Sequence, residues 1–174
     1  ISMFVRKDNI YLSGIGSIVK NMSSQTLKLK IITPERLVLE EAVASVTLPT
    51  TEGQITVLPG HVPLISNLGP GEILAKGNVE TGHDDVPMAV SGGFVEVKQT
   101  KDGSEIIILA DHAEHVSEID VERAKARAAE LMAMKNASDV DFVHFESELE
   151  RSLNRVKISD KWRGKKYRKM PFKI

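Results

Sequence analysis

Cysteine is missing from this 174-residue chain. That absence removes disulfides, thiolate metal sites and cysteine nucleophiles at once, and it fits a reducing compartment. Long apolar runs are missing too. The longest is Ile106-Ile107-Ile108-Leu109-Ala110, far short of the roughly 20 residues a membrane-spanning helix needs. Neither charge sign dominates: 23 Lys and Arg stand against 24 Asp and Glu, a formal net charge of -1. Such a balance does not point to nucleic acid or an anionic membrane as the main partner. No serine sits in a nucleophile elbow, and no glycine-rich phosphate loop of the Walker kind occurs. What remains is ordinary globular composition, 41% hydrophobic and 27% charged, enough for one medium domain or two small ones.

Punctuation by proline and glycine is concentrated between Ser45 and Gly71, at Pro49, Gly53, Pro59-Gly60, Pro63 and Gly69-Pro70-Gly71. Each of these residues fixes or frees a backbone angle and so marks a turn or an edge. Between them lie runs of strand length. Ala44, Val46 and Leu48 alternate with Ser45 and Thr47, the period of a half-buried strand. Further strands are expected over 27–32, 37–39, 55–58, 73–76, 88–91 and 94–97. Asp102-Gly103 between apolar runs is a hairpin signal leading to a strand at 104–109. So many short strands at close spacing predict an all-β sandwich or barrel.

The pattern changes at Ala110. Glycine is absent between Gly103 and Gly164, and alanine and charge rise. A first helix is expected near Asp120, with Ser117 or Asp120 as its cap. Val121, Ala124, Ala128 and Leu131 form one apolar stripe, and the alanines allow another helix to approach closely. Lys135–Asp139 breaks the pattern, and Ser138 with Asp141 resembles a capping pair. A second helix carries Phe142, Phe145, Leu149, Leu153 and Val156 at helical spacing. Two such helices joined by a short break predict an α-helical antiparallel hairpin.

The expected domains are therefore an extra amino-terminal arm at 1–25, a β-sandwich at 26–111, a two-helix hairpin at 112–159 and a basic tail at 160–174. The arm lacks the basic start and long apolar core of a secretory signal. It is expected to be poorly ordered, with Met22 as an alternative start. The tail carries Lys161, Arg163, Lys165, Lys166, Arg168, Lys169 and Lys173 with Trp162, Tyr167 and Phe172 between them. A solvated, disordered end is expected there, although the aromatics leave a docking role open.

No catalytic constellation emerges. His112 and His115, beside Asp111 and Glu114, have a conceivable metal-ligand spacing, but no third ligand stands near in sequence. A surface or interface role is expected for them. His61, in its proline-bounded turn, suits a partner contact or a backbone cap. The arginines are a separate case. Arg151 and Arg155 share a helix face, and a folded hairpin brings them toward Asp120 and Arg123. Guanidinium groups bind phosphate bidentately, so a polyphosphate could meet three arginines while Asp120 accepts from a base or ribose. Surface ion pairs, such as Glu148 to Arg151 or Arg155, explain the same residues with less.

Several motifs resemble the epsilon subunit of the rotary F-type ATP synthases. They are Leu48-Pro49, Leu58-Pro59-Gly60-His61-Val62-Pro63-Leu64, Gly69-Pro70-Gly71, Ser91-Gly92-Gly93-Phe94 and Leu109-Ala110-Asp111. Ile119-Asp120-x-x-Arg123-Ala124, Asp139-Val140-Asp141 and the Arg151/Arg155 pair extend the resemblance through both helices, over roughly Leu27 to Ser159. The resemblance implies a ten-stranded sandwich followed by a two-helix hairpin. It implies a non-catalytic central-stalk subunit whose partners are the gamma subunit, the c-ring and the alpha/beta catalytic head. Such a subunit sits peripherally on the cytoplasmic face of a bacterial inner membrane or the organelle equivalent, touches the membrane only through the c-ring and binds no nucleic acid. The hairpin is expected to inhibit ATP hydrolysis when raised. No cofactor is required, but regulatory ATP is implied at Glu114, Ile119, Asp120, Arg123, Ala124, Arg151 and Arg155. One further arginine of strong ATP binders is replaced by Glu130, and a carboxylate near phosphate repels. Gln54, Leu58 and His61 are the implied contacts with gamma and the c-ring. A free-standing β-sandwich binding module with a helical oligomerisation hairpin is the alternative reading.

Overall fold

A computed structural model describes residues 26–77, 84–101, 103–134 and 142–168. The expected arm, residues 78–83, Asp102 of the hairpin signal, the break around Ser138, Asp139 and Asp141, and the tail from Lys169 on lie outside the described residues.

The strands are β1 (Thr26–Ile32), β2 (Leu37–Val43), β3 (Ser45–Thr50), β4 (Gly53–Val57), β5 (Leu64–Leu68), β6 (Gly71–Lys76), β7 (Val86–Val90), β8 (Gly93–Thr100), β9 (Gly103–Ala110) and β10 (Ala113–His115). They form one ten-stranded sheet in the order β10-β7-β6-β3-β5-β8-β9-β1-β2, with β4 on β3. β3 and β5 meet only at Thr50 and Leu68. The sheet folds there, so its two halves face each other as a sandwich. Leu27, Leu29, Ile31, Val95, Val97, Ile106 and Ile108 of one half pack against Val46, Leu48, Ile73, Val86, Met88 and Val90 of the other, all of them buried. The period-two alternation of these residues puts the apolar set inward on every strand. All pairings are antiparallel except β1 with β9, which is parallel.

Two strands were not expected. β5 follows Pro63 directly, at the start of a strand, where proline costs no interior ladder bond. β10 pairs with β7 through Ala113, Glu114 and His115. The sheet therefore runs to His115, past the boundary expected at 111, because a three-residue strand shows no alternation to read. β7 is buried at every position. Val86, Met88 and Val90 face the sandwich core, and Ala89 faces a second apolar cluster on the outside. A strand covered on both faces reads as a continuous apolar run. At the start of β8, Gly93 has φ +125°, and a Cβ there would lie 2.1 Å from the Leu109 carbonyl oxygen.

A 3-10 turn at Val116–Glu118 is closed by a capping box between His115 and Glu118. Asp120 then caps helix α1 (Val121–Met134), its Oδ1 accepting from the Arg123 backbone N–H at 3.0 Å. Of the expected α1 stripe, Ala124, Ala128 and Leu131 are buried and Val121 is half-buried against the second cluster. Helix α2 (Phe142–Trp162) differs from expectation. Among its described side chains, which do not include Phe142, the buried ones are Phe145, Ser152, Ile158 and Trp162, while Leu153 is exposed and Leu149 and Val156 are half-buried. The helix is rotated because it serves two neighbours at once. Small Ser152 faces the alanines of α1, and Ile158 and Trp162 face the sheet.

The basic tail is not a solvated end over its described part. α2 runs on to Trp162, and the segment after it lies against the sheet. Trp162 and partly buried Tyr167 join Ala89, Val116, Ile119 and Ile158 in the second cluster.

Candidate functional site

The hairpin docks on the outer face of β6, β7 and β10 through polar contacts made by α2. Asn154 Nδ2 donates to the Gly71 and Val90 carbonyls at 3.1 and 3.2 Å. Arg155 forms a two-pronged pair with Glu114, and its second nitrogen lies 3.2 Å from His112 Nε2. That placement gives His112 a role at the helix–sheet junction, and no group of three or more metal-ligating side chains occurs among the described residues.

Above this junction, between α1 and α2, lies a cleft of about 650 Å³. Its walls carry Arg123 and Arg127 from α1 and Arg151 and Arg155 from α2. Six of the seven expected nucleotide-site residues converge on it: Glu114, Asp120, Arg123, Ala124, Arg151 and Arg155. Ile119 does not line it, since its side chain packs with Val116 and Ile158 in the second cluster beneath. Arg127, Glu118, Glu148 and Ser152 also line the cleft and were not foreseen. Arg127 was legible as the residue one turn after Arg123 on the same helix face.

The arginines are not equivalent. Arg127 bridges the hairpin, bonding Glu130 on its own helix at 2.7 Å and Glu148 on α2 at 2.8 Å. Those carboxylates raise its pKa further, Glu130 first. The ion pairs expected within α2 are thus replaced by pairs between elements, Arg127 with Glu148 and Arg155 with Glu114. Arg151 contrasts with both, because its Nε is buried and has no hydrogen-bond partner. A buried donor without an acceptor is costly, and no described carboxylate on the cleft walls is paired with Arg151. An anion entering the cleft would compete with Glu114 for Arg155 and with Glu130 and Glu148 for Arg127. Carboxylates outnumber guanidinium groups on these walls, and Glu130 lies among them.

A second candidate region is on the sandwich. The turn carrying Leu58 and His61 is pinned rigidly, with Gly60 N–H donating to Ser104 Oγ at 2.7 Å and the Gln99 amide donating to the His61 carbonyl. His61 Nδ1 donates to the Val62 carbonyl at 2.8 Å. Leu58 and Val62 protrude, 56% and 70% exposed. Gln54 is exposed at the opposite end of β4, about 13 Å along the strand from Leu58. The three expected contact residues therefore do not form one spot. Ile65 is exposed near the turn, and Phe94, Leu109 and Leu37 are exposed toward the other end of their strands. Register places Phe94 opposite Leu109, Leu109 opposite Ile32 and Ile32 opposite Leu37, an apolar band across neighbouring strands. Bands of this kind mark interaction surfaces.

Family models cover both parts of the chain. The ATP synthase delta/epsilon-chain β-sandwich domain matches residues 26–116, and the long α-helix domain of the same chain matches 117–160. The chain belongs to the epsilon-chain family of ATP synthases. Among its relatives is the ATP synthase epsilon chain of Desulforamulus reducens, 38% identical over 139 residues, covering 79% of this chain and 99% of that one. The epsilon chain of Dehalococcoides mccartyi is 39% identical over 140 residues, covering 79% of this chain and 94% of that one. Among solved structures, a chain of the Euglena gracilis mitochondrial ATP synthase, described with its OSCP, F1 and c-ring, aligns with TM-score 0.62 at 26% identity. The alignment covers 78% of this chain and 81% of that one. Sandwich and hairpin thus coincide with the two domains of the epsilon-chain family, and no described helix is long and apolar enough to cross a membrane.

Proposed function

We propose that this epsilon-family chain is a non-catalytic rotor subunit. In this reading the sandwich holds the gamma subunit and rests on the c-ring, and the hairpin leaves the sheet to block ATP hydrolysis in the alpha/beta head. The observation that carries the reading is the separateness of hairpin and sandwich. Their apolar clusters share no residue, so the helices can lift without opening the sandwich core. Met132 and Leu153 support it, being exposed apolar side chains on the docked helices that a second docking place would cover. The apolar band with Phe94 and the pinned Leu58–Val62 turn supply two surfaces, one for gamma and one for the c-ring. The chain then lies at the cytoplasmic face of a bacterial inner membrane or its organelle equivalent, meeting the membrane only through the c-ring. ATP is the regulatory ligand of the arginine cleft, where Arg151 and Arg123 hold phosphate and keep the hairpin down.

The test is hydrolysis by a reconstituted complex lacking residues 119–174 of this chain. Hydrolysis should rise several-fold while proton-driven synthesis persists. Unchanged hydrolysis removes the inhibitory role, and failure to co-assemble with a gamma subunit favours a free-standing binding module.

A further inference from the structure

The helix-domain model of the family ends at residue 160, yet the chain continues in an ordered course to Arg168. Over this stretch it crosses from one edge of the sandwich to the other. β10 and β2 end the strand order and so flank the open seam between the two layers. Glu72 on β6 receives both Lys161 Nζ and Trp162 Nε1, one on each carboxylate oxygen. That carboxylate is only 10% exposed. Gly164 turns the chain with φ +76°. Tyr167 then lies edge-on to Trp162 at 5.9 Å and tilted over buried His115 of β10 at 5.6 Å. Arg168 N–H donates to the Asp85 carbonyl at 3.0 Å, and its guanidinium pairs with Glu41 on β2, across the seam.

From this arrangement we propose that residues 161–168 are a strap that fastens the helical hairpin to the sandwich. It closes the seam and sets how readily α2 lifts. The acidic surface its basic residues seek is this chain's own, in Glu72 and Glu41. Lifting α2 carries Trp162 with it, which strips both donors from a nearly buried carboxylate and uncovers His115. A hairpin held by the strap therefore stays down more of the time than one ending at Asp160. The inference needs only that the hairpin docks as observed, and holds whether or not a raised hairpin brakes a rotor.

Amide hydrogen exchange on the isolated full chain tests it, with the sole tryptophan, Trp162, as a fluorescent reporter. Glu72→Gln and Arg168→Ala should each speed exchange of α2 amides about tenfold or more through local opening. The amides of β1, β8 and β9 should keep their rates. Trp162 emission should move to longer wavelength in Glu72→Gln. Arg163→Ala, which removes a positive charge paired only locally with Asp160, should change neither reading. Unaltered α2 exchange in both strap variants overturns the proposal. Equal acceleration of the inner strands also overturns it, since the segment would then be an inseparable part of the core.

Discussion

A histidine enclosed by Ser117, Tyr167 and the strap backbone takes up a proton only at a cost. His115 Nδ1 accepts from the Ser117 N–H at 3.1 Å. Its Nε2 makes no sound hydrogen bond, although the Arg168 backbone is close enough to favour a proton there. Burial comes first among the causes that hold its pKa below 6.5. Arg168 adds to the lowering, and Glu118 opposes it. An undocked His115 regains its ordinary pKa and binds the proton first. Docking stability is therefore full above about pH 6.5 and falls as pH drops below that value toward the depressed one. Hydrogen exchange of α2 should quicken between pH 7 and pH 5.5, and His115→Gln should flatten that dependence relative to the sheet. At the cleft, Glu130→Arg exchanges a repelling carboxylate for a fifth guanidinium and leaves Arg127 with Glu148 as its one remaining carboxylate partner. Isothermal calorimetry should show ATP binding at least tenfold tighter, a gain of about 1.4 kcal/mol. Arg151→Ala should abolish the heat. Equal binding in all three proteins would place nucleotide elsewhere.

Among elements, the difference between the two helices explains what the sequence disclosed and what it hid. Beyond its first turn α1 packs on α2, so its buried stripe follows a single period and was legible from Ala124, Ala128 and Leu131. α2 faces both α1 and the sheet, and its contact residues include Ser152, Asn154 and Arg155, which no hydrophobic pattern marks. β10 and the strap escaped for a similar reason. Three residues are too few to alternate, and a basic run reads as solvated until its acidic counterpart is known. The arginine cleft was largely foreseen because its residues sit in motifs at fixed helical offsets. Arg127 was passed over because it belongs to none of them. Asn154 is the element's main polar clip, and Asn154→Ala should weaken docking by about 1–2 kcal/mol, for two hydrogen bonds lost to sheet carbonyls. The check is faster α2 exchange with an unchanged denaturation midpoint for the sandwich; a lowered midpoint would mean that Asn154 supports the sheet itself.

For the whole molecule, the arrangement is a closed sandwich with an appendage attached to its outside. β7 is shared between the two, with Met88 in one apolar cluster and Ala89 in the other. Removing residues 119–174 exposes the Ala89 side but leaves the Met88 side intact. That asymmetry is why the truncated chain should still assemble in the hydrolysis experiment. It also separates the two kinds of surface: the apolar band and pinned turn are unaffected by where the hairpin lies.

The parallel pairing of β1 with β9 has a consequence for how the chain emerges during synthesis. Thr26 is matched with Gly103 and Ile32 with Leu109, so the first strand has no inner neighbour until almost the whole sandwich has been translated. Until then β1 and β2 wait as an unfinished ribbon with a free edge, the kind that sticks to other chains. The helices follow directly behind β9 and β10, so closure of the barrel-like body and arrival of its appendage fall close together in time.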